Sequence, residues 1–198
     1  MIISSTNISI RDWKQNDIEK ISHWYTGQHA WMKLDAPYFA KPNDEALQKR
    51  IEYYQTLTDD DKLTHPRKNL VIALNDELIG NINWYFTSKE TNWVSLGISI
   101  FDPVHWQKGY GTEALYLWTD YLFEHMPQIA RLDLYTWSGN IGMQKTALKL
   151  GYKEEARFRN ARIVEDIYYD SLGFGILRKE WEALRESMQK KYHSHKSL

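Results

Sequence analysis

The stretch Trp106-Gln107-Lys108-Gly109-Tyr110-Gly111-Thr112 joins an alternating apolar strand to an amphipathic helix. A strand that stops at glycines opening a helix leaves several backbone N–H groups unpaired, pointing one way at the positive end of the helix dipole. Such a socket binds anions, and a phosphate is its natural occupant. Two nucleotide-binding patterns are excluded. Gly109-Tyr110-Gly111 is followed by Thr112, Glu113 and Ala114, with neither the third glycine of G-x-G-x-x-G nor the lysine of G-x-x-x-x-G-K-S/T. Glycines at a strand-helix junction also serve simple turns.

The elements around this loop follow from periodicity. Val94, Leu96, Ile98 and Ile100 share one face of a strand and Ser95, Gly97 and Ser99 the other. Gly97 permits close approach of a ligand or a neighbouring backbone, or marks a bulge. Leu115, Trp118, Leu122 and Met126 recur at helical spacing, with Glu113, Asp120 and Glu124 opposite, until Pro127 ends the helix. Leu132 to Trp137 reads as another strand. Ser138-Gly139-Asn140 then offers a turn and cap for a helix from Ile141 to Leu150, closed by Gly151. A second strand-turn-helix unit therefore follows the first.

The order and residues of these units resemble the Gcn5-related N-acetyltransferase (GNAT) family. The family's pyrophosphate loop, Gln/Arg-x-x-Gly-x-Gly/Ala, is met in spacing by Trp106, Gly109 and Gly111, with tryptophan at the first position. That departure, together with Thr112-Glu113-Ala114, is similar to the branch of ribosomal-protein N-terminal acetyltransferases (RimJ/RimL-like). Asn140 followed by Lys149-Leu150-Gly151-Tyr152, and Asp166 followed by Glu180-Trp181, match two further landmarks of that branch. The resemblance spans roughly residues 70 to 185.

It implies a mixed α+β fold, the acyl-coenzyme A N-acyltransferase fold. Its mostly antiparallel sheet has six to seven strands, splayed between the fourth and fifth, with helices on both faces. Acetyl-coenzyme A would lie in the splay as co-substrate, with no metal. N–H groups around Ser99, Ile100 and Phe101 would hold the pantetheine arm, and Gln107 to Thr112, including Tyr110, the pyrophosphate, with a charge contact from Lys108. Asn140 is the family's amide contact to the cofactor and equally a helix cap; Lys145 reaches the ribose phosphate or is a solvated helix lysine. The usual serine and tyrosine acids are replaced by Met143 and Ala147, which with Leu150 form an apolar stripe. The usual strand carboxylate is replaced by Ser95, Gly97 and Ser99. Asp166 is the carboxylate left as catalytic candidate, taking the amine proton through a water or fixing Arg157 or Arg159.

The acceptor contacts implied lie in the link His29 to Phe39, where Trp31, Asp35 and Tyr38 suit an amine, or else cover the sheet as core. The activity implied is acetyl transfer from acetyl-coenzyme A to a primary amine, a protein N-terminus or a small molecule, by direct attack in a ternary complex. The alternative is a silent acetyl-coenzyme A sensor.

The remaining chain agrees with one domain over residues 1–198: this length buries one sizeable core and no linker divides it. Ile2 to Ile10 reads as the first strand, Asp17 as the cap of a helix to Thr26, and Asn43 or Asp44 as the start of another. Asn69–Leu74 and Leu78–Phe86 form a hairpin, and Tyr152–Asn160 and Ile167–Ile176 two antiparallel strands before a last helix with Trp181, Leu184 and Met188 on one side. The tail Lys190 to Leu198 is expected to fray, and His193 and His195 in it are assigned no role. A net charge of −1 argues against a nucleic-acid partner, and a homodimer stays open. Without cysteine there is no disulfide, thiolate nucleophile or thiolate metal site. No signal peptide or membrane span is legible, so a cytoplasmic protein is expected.

Overall fold

Alternating apolar residues along Asn69–Leu74 send Leu70 and Ile72 to one face of a sheet and Val71 and Ala73 to the other, and all four are buried. The sheet is thus covered on both sides. The computed structural model describes residues 2–59 and 63–192. Its strands are β1 (Ile2–Ser4), β2 (Ser9–Arg11), β3 (Asn69–Leu74), β4 (Glu77–Ser88), β5 (Trp93–Ile100), β6 (Arg131–Trp137), β7 (Lys153–Val164) and β8 (Ile167–Leu177). Its helices are α1 (Gln15–Tyr25), α2 (Asp44–Thr56), α3 (Tyr110–His125), α4 (Ile141–Lys149) and α5 (Arg178–Tyr192). The eight strands form one sheet in the order β1-β2-β3-β4-β5-β6-β8-β7. Each neighbouring pair is antiparallel except β5 and β6, which run parallel.

One face packs under α3, α4 and α5, with Trp118, Leu122, Ala147, Leu150 and Trp181 in its core. The other packs under α1, α2 and a short turn at Ala30–Lys33 through Trp13, Ile18, Ile21, Trp31 and Tyr54. Beyond these helices, along β6 and β8, the second face is open to solvent over Tyr135, which is 47% exposed.

Five expectations change. The first strand is a hairpin of two, because Ser5 turns the chain by donating its N–H to the Ile8 carbonyl at 2.9 Å. Glu113 fixes that turn, accepting from Ser5 Oγ at 2.6 Å and Asn7 Nδ2 at 2.6 Å. Glu113 is therefore buried, and the polar side of α3 faces α5: Asp120 accepts from Trp181 Nε1 at 2.9 Å and pairs with Arg185 at 2.7 Å. The count rises to eight strands, so the parallel pair is β5 and β6. The last helix continues through Tyr192, whose carbonyl accepts from Thr6 N–H at 2.9 Å, so residues 190–192 are ordered helix. Residues 193–198, with His193 and His195, lie outside the described residues.

Asp17 lies three residues inside α1 rather than at its cap, which is Lys14. It accepts the Lys14 N–H at 2.9 Å and Arg11 Nη1 at 2.7 Å, both side chains of the ion pair being almost wholly buried. Arg11 continues to the Asp76 carbonyl at 2.7 Å, in the β3–β4 turn. The pair fastens α1 to the sheet. Without Asp17 the buried Arg11 keeps only the exposed Asp76 carboxylate, at 2.9 Å, as an ionic partner, which is costly. Asp17→Asn should lower unfolding free energy by about 3 kcal/mol in urea titration. An unchanged midpoint would show that α1 is held by apolar contacts alone.

Candidate active site

Parallel strands β5 and β6 pair only at Val94–Leu132, Ser95–Asp133 and Leu96–Leu134. Above that point Gly97–Ile100 stays on β4 and Tyr135–Trp137 stays on β8, and the two edges separate. The opening is a cavity of about 860 Å³ lined by Leu96–Ile100, the loop around Gly109, Leu134–Trp137, the start of α4 and the 31–38 link. Amides on the inner edges have no ladder partner there, so a ligand or water must satisfy them.

Parity decides which amides these are. Phe101 donates its N–H to the Ile79 carbonyl at 3.0 Å, so Ser99, two residues earlier, also turns its main-chain groups toward β4. Of Ser99, Ile100 and Phe101, only Ile100 faces the opening with its amide, and Ile98 joins it. Phe101 is instead core, its ring 5.8 Å from Trp24 and 5.2 Å from Trp31. Ile98 is a main-chain contact that its apolar side chain concealed.

At the mouth, Gly109 caps α3 with φ of 89° and Gln107 has φ of 59°. The first intrahelical bond is Glu113 N–H to the Gly109 carbonyl at 3.0 Å, so the amides of Tyr110, Gly111 and Thr112 precede it and are free of the helix ladder. A Cβ at Gly109 would meet nothing within 4 Å, so glycine is required there by φ and not by space. Trp106 braces this loop by donating Nε1 to the Ile100 carbonyl at 2.9 Å. Gln107 is exposed at the cleft edge, Thr112 is buried, and Lys108 is exposed just outside the lining. His105 and Tyr110, with ring centroids 6.1 Å apart, form the adjoining wall.

Asn140 caps α4, its Oδ1 accepting from Met143 N–H at 3.0 Å, while Nδ2 donates to the Leu34 carbonyl at 3.3 Å. Trp137 Nε1 donates to that same carbonyl at 3.0 Å. The Asn140 side chain is thus a cap and a brace between α4 and the 31–38 link. Lys145 and Lys149 place two cations on the cleft lining. Met143 also lines the cleft, whereas Ala147 and Leu150 are core.

Trp31, Asp35 and Tyr38 all line the opening from above. Trp31 is mostly core, with Nε1 donating to the Trp24 carbonyl at 3.1 Å. Asp35 reaches cleft solvent yet is ringed by protein, and this desolvation holds its carboxyl above the usual range while the Arg50 charge opposes the rise. Tyr38 carries the Arg162 guanidinium 4.5 Å from its ring centroid and meets Trp137 edge-on at 6.3 Å.

Asp166 does not reach the site. Glu165 and Asp166, with φ of 50° and 63°, are the two turn residues of the β7–β8 hairpin, flanked by the Val164–Ile167 pair. Both are exposed. Arg157 is paired instead with Glu154 and Asp170, each at 2.7 Å. A buried carboxylate lies below the opening, outside its lining and one register pair beneath the last pair of the β5–β6 ladder. Asp133, 2% exposed, is opposite Ser95 in register and accepts hydrogen bonds from Ser95 Oγ and Trp93 Nε1. Tyr135 Oη lies 3.4 Å from its Oδ2, and Tyr135 is among the residues lining the cleft.

The sequence profile of the acetyltransferase (GNAT) domain matches residues 7–153, most of the chain. The chain belongs to the GNAT acetyltransferase family. No curated protein matches it by sequence. Solved GNAT-fold structures superpose throughout. The GNAT-family acetyltransferase from Bacillus anthracis is 22% identical over 91% of this chain and 100% of its own, with a TM-score of 0.69. Spermidine N-acetyltransferase from Vibrio cholerae, solved with CoA and spermine, is 16% identical over 89% and 99%, at 0.70. RimL, a ribosomal L7/L12 alpha-N-protein acetyltransferase solved with coenzyme A, is 15% identical over 89% and 98%, at 0.68. The fold of this GNAT N-acetyltransferase is shared with all three.

The loop geometry separates two glycines. Gly109→Ala should cost roughly 1–2 kcal/mol of stability through its left-handed φ. Gly111→Asp, whose Cβ meets only Ile100 at 3.8 Å, puts a carboxylate in the first helical turn and should leave the unliganded melting temperature equal or higher. Calorimetry of both variants checks the contrast; equal losses would contradict the assigned conformations.

Proposed function

We propose that this GNAT protein transfers the acetyl group of acetyl-coenzyme A to a primary amine by direct attack within a ternary complex. The observation that carries the reading is continuity: the unpaired amides of Ile98 and Ile100 lead along one edge of the parted strands to the free amides that open α3. An acyl-pantetheine arm needs an extended hydrogen-bonding edge, and its diphosphate needs a helix N-terminus. The residues present fit both. Lys108, Lys145 and Lys149 lie where cations complement the phosphates. A thioester held against β5 amides has its carbonyl oxygen beside main-chain donors, which favours the charge that develops during attack.

The acceptor enters under the 31–38 link. Aromatic walls from Trp31, Tyr38 and Trp137 with a single carboxylate, Asp35, suit an amine that arrives as a cation. A peptide N-terminus and a small-molecule amine both satisfy this chemistry. Holding the nitrogen at the carbonyl supplies much of the rate, because orientation replaces a bimolecular encounter.

A second reading, acetyl-coenzyme A binding without turnover, is supported by Met143 and Ala147 at the positions of the family's usual serine and tyrosine acids. Thiol release from acetyl-coenzyme A, followed over a panel of polyamines, aminoglycosides and short peptides, separates the two. Turnover with any member supports transfer. Coenzyme A at about a hundred times its dissociation constant should add roughly 2.7 kcal/mol of stability. Gly111→Asp should weaken that binding by about 100-fold, because a fixed carboxylate faces the diphosphate. Unaltered coenzyme A affinity in Gly111→Asp would refute the loop assignment.

A further inference from the structure

Neither β5 nor α4 supplies a carboxylate or imidazole to the cleft, Asp166 is at the β7–β8 hairpin tip, and the lining groups Asp35 and His105 sit on the overlying link and ahead of the α3 loop rather than on the parted strands. Strand β6 carries a carboxylate just below the cleft. Ser95 and Asp133 are paired in register immediately below the point where β5 and β6 part, on the face reached by the acceptor-side link. On that face Gly97 and Tyr135 line the cleft, with Gly173 of β8 beside Tyr135. A Cβ at Gly97 would be 2.8 Å from Asn83 Oδ1, and one at Gly173 would be 3.3 Å from Tyr135 Cε1, so both glycines leave room for side chains lying flat on the sheet. Tyr135 is one of those side chains. Tyr135 is among the residues that line the cleft, and its hydroxyl points back to Asp133 at 3.4 Å.

We propose that Asp133 accepts the proton of the attacking amine through Tyr135, an inference that rests on the acetyl-transfer reading. The arriving ammonium first gives one proton to solvent; as the neutral amine nitrogen then bonds to the thioester carbonyl carbon and the C–S bond breaks, the sulfur leaves as thiolate. The nitrogen's proton passes to Tyr135 Oη while the Tyr135 hydroxyl proton passes to Asp133 Oδ2. The carboxylate charge is thereby replaced by the thiolate charge, and no other reactant is consumed. Asp133 later returns its proton to solvent by the same hydroxyl.

The surroundings of Asp133 fit an acceptor that stays available. Its closest donors, Ser95 Oγ and Trp93 Nε1, are neutral, and Thr87 shares a hydrogen bond with Ser95. Arg131 stands at 3.6 Å and is committed to Glu155 on β7. Burial holds the Asp133 carboxyl above the usual carboxylate range, with Ser95, Trp93, Arg131 and Tyr135 each pulling it down. Tyr85 and Tyr152 are the other titratable groups that feel this charge, and both stay protonated well above neutrality. Activity that needs the ionised form is lost as pH falls through that raised value, which places the acid limb above the ordinary aspartate range.

A purely structural Asp133, riveting β5 to β6, is the competing account, and Tyr135→Phe distinguishes the two because it leaves the rivet intact. Wild type, Tyr135→Phe, Asp133→Asn and the double variant are compared in steady-state kinetics with the best amine of the panel. Tyr135→Phe should lower kcat about 100-fold with KM for acetyl-coenzyme A within about twofold. It should also remove the acid limb of the pH profile, and the double variant should fall no further than the worse single one. A Tyr135→Phe enzyme with wild-type kcat and an unmoved acid limb overturns the proposal, even if Asp133→Asn fails to fold. Coenzyme A binding without turnover by wild type over the whole panel overturns the transfer reading, and this proposal with it.

Discussion

A β-ladder that stops after three residue pairs is the constraint on which the rest of this molecule depends. Each of the two parting strands remains paired along its outer edge, β5 to β4 as far as Ile100 and β6 to β8 as far as Trp137. The parting therefore leaves only inner-edge amides without partners, and backbone polar groups in such a place must find another acceptor. The apolar residues beneath, Val94, Leu96, Leu132 and Leu134, anchor the joined part in the core. Above them, polar and apolar residues together surround a space open to solvent.

Helix α3 matters as much for where it begins as for what it buries. Its first turn is pinned twice: Glu113 holds the β1–β2 turn, and Trp106 ties the preceding loop to the end of β5. Its far end is secured by Asp120 to Trp181 and Arg185 of α5. An amide array is useful for binding only if it does not relax when the anion leaves, and these contacts supply the rigidity.

The parts of this arrangement that are local were legible in the amino-acid order. Period-two and period-3.6 patterns located β5, α3, β6 and α4, and Gly109 marked the mouth of the cleft. What stayed hidden depends on partners distant in the chain. Ser5–Asn7 breaks the first strand because Glu113, 108 residues from Ser5, pulls the turn inward. Phe101 lost its expected amide role because Ile79 on β4 claims it, which no pattern within β5 reveals. Asp166 carried a family landmark, yet its turn conformation at the end of two long strands removes it from the cleft. Asp133 went unnoticed because its meaning arises from Ser95, 38 residues away. Asn140 was read both ways, and its Oδ1 serves the helix cap while Nδ2 crosses to the Leu34 carbonyl.

That carbonyl, gripped by Asn140 and Trp137 from the opposite lip, gives the cleft a hinge pin made of main chain. Because the receiving atom belongs to the peptide unit, replacing the side chain at position 34 leaves the clasp in place. The gap width is accordingly insulated from sequence drift in the overlying segment, whose side chains are free to diversify. Side-chain variation on that segment can thus proceed without changing the distance between the two lips.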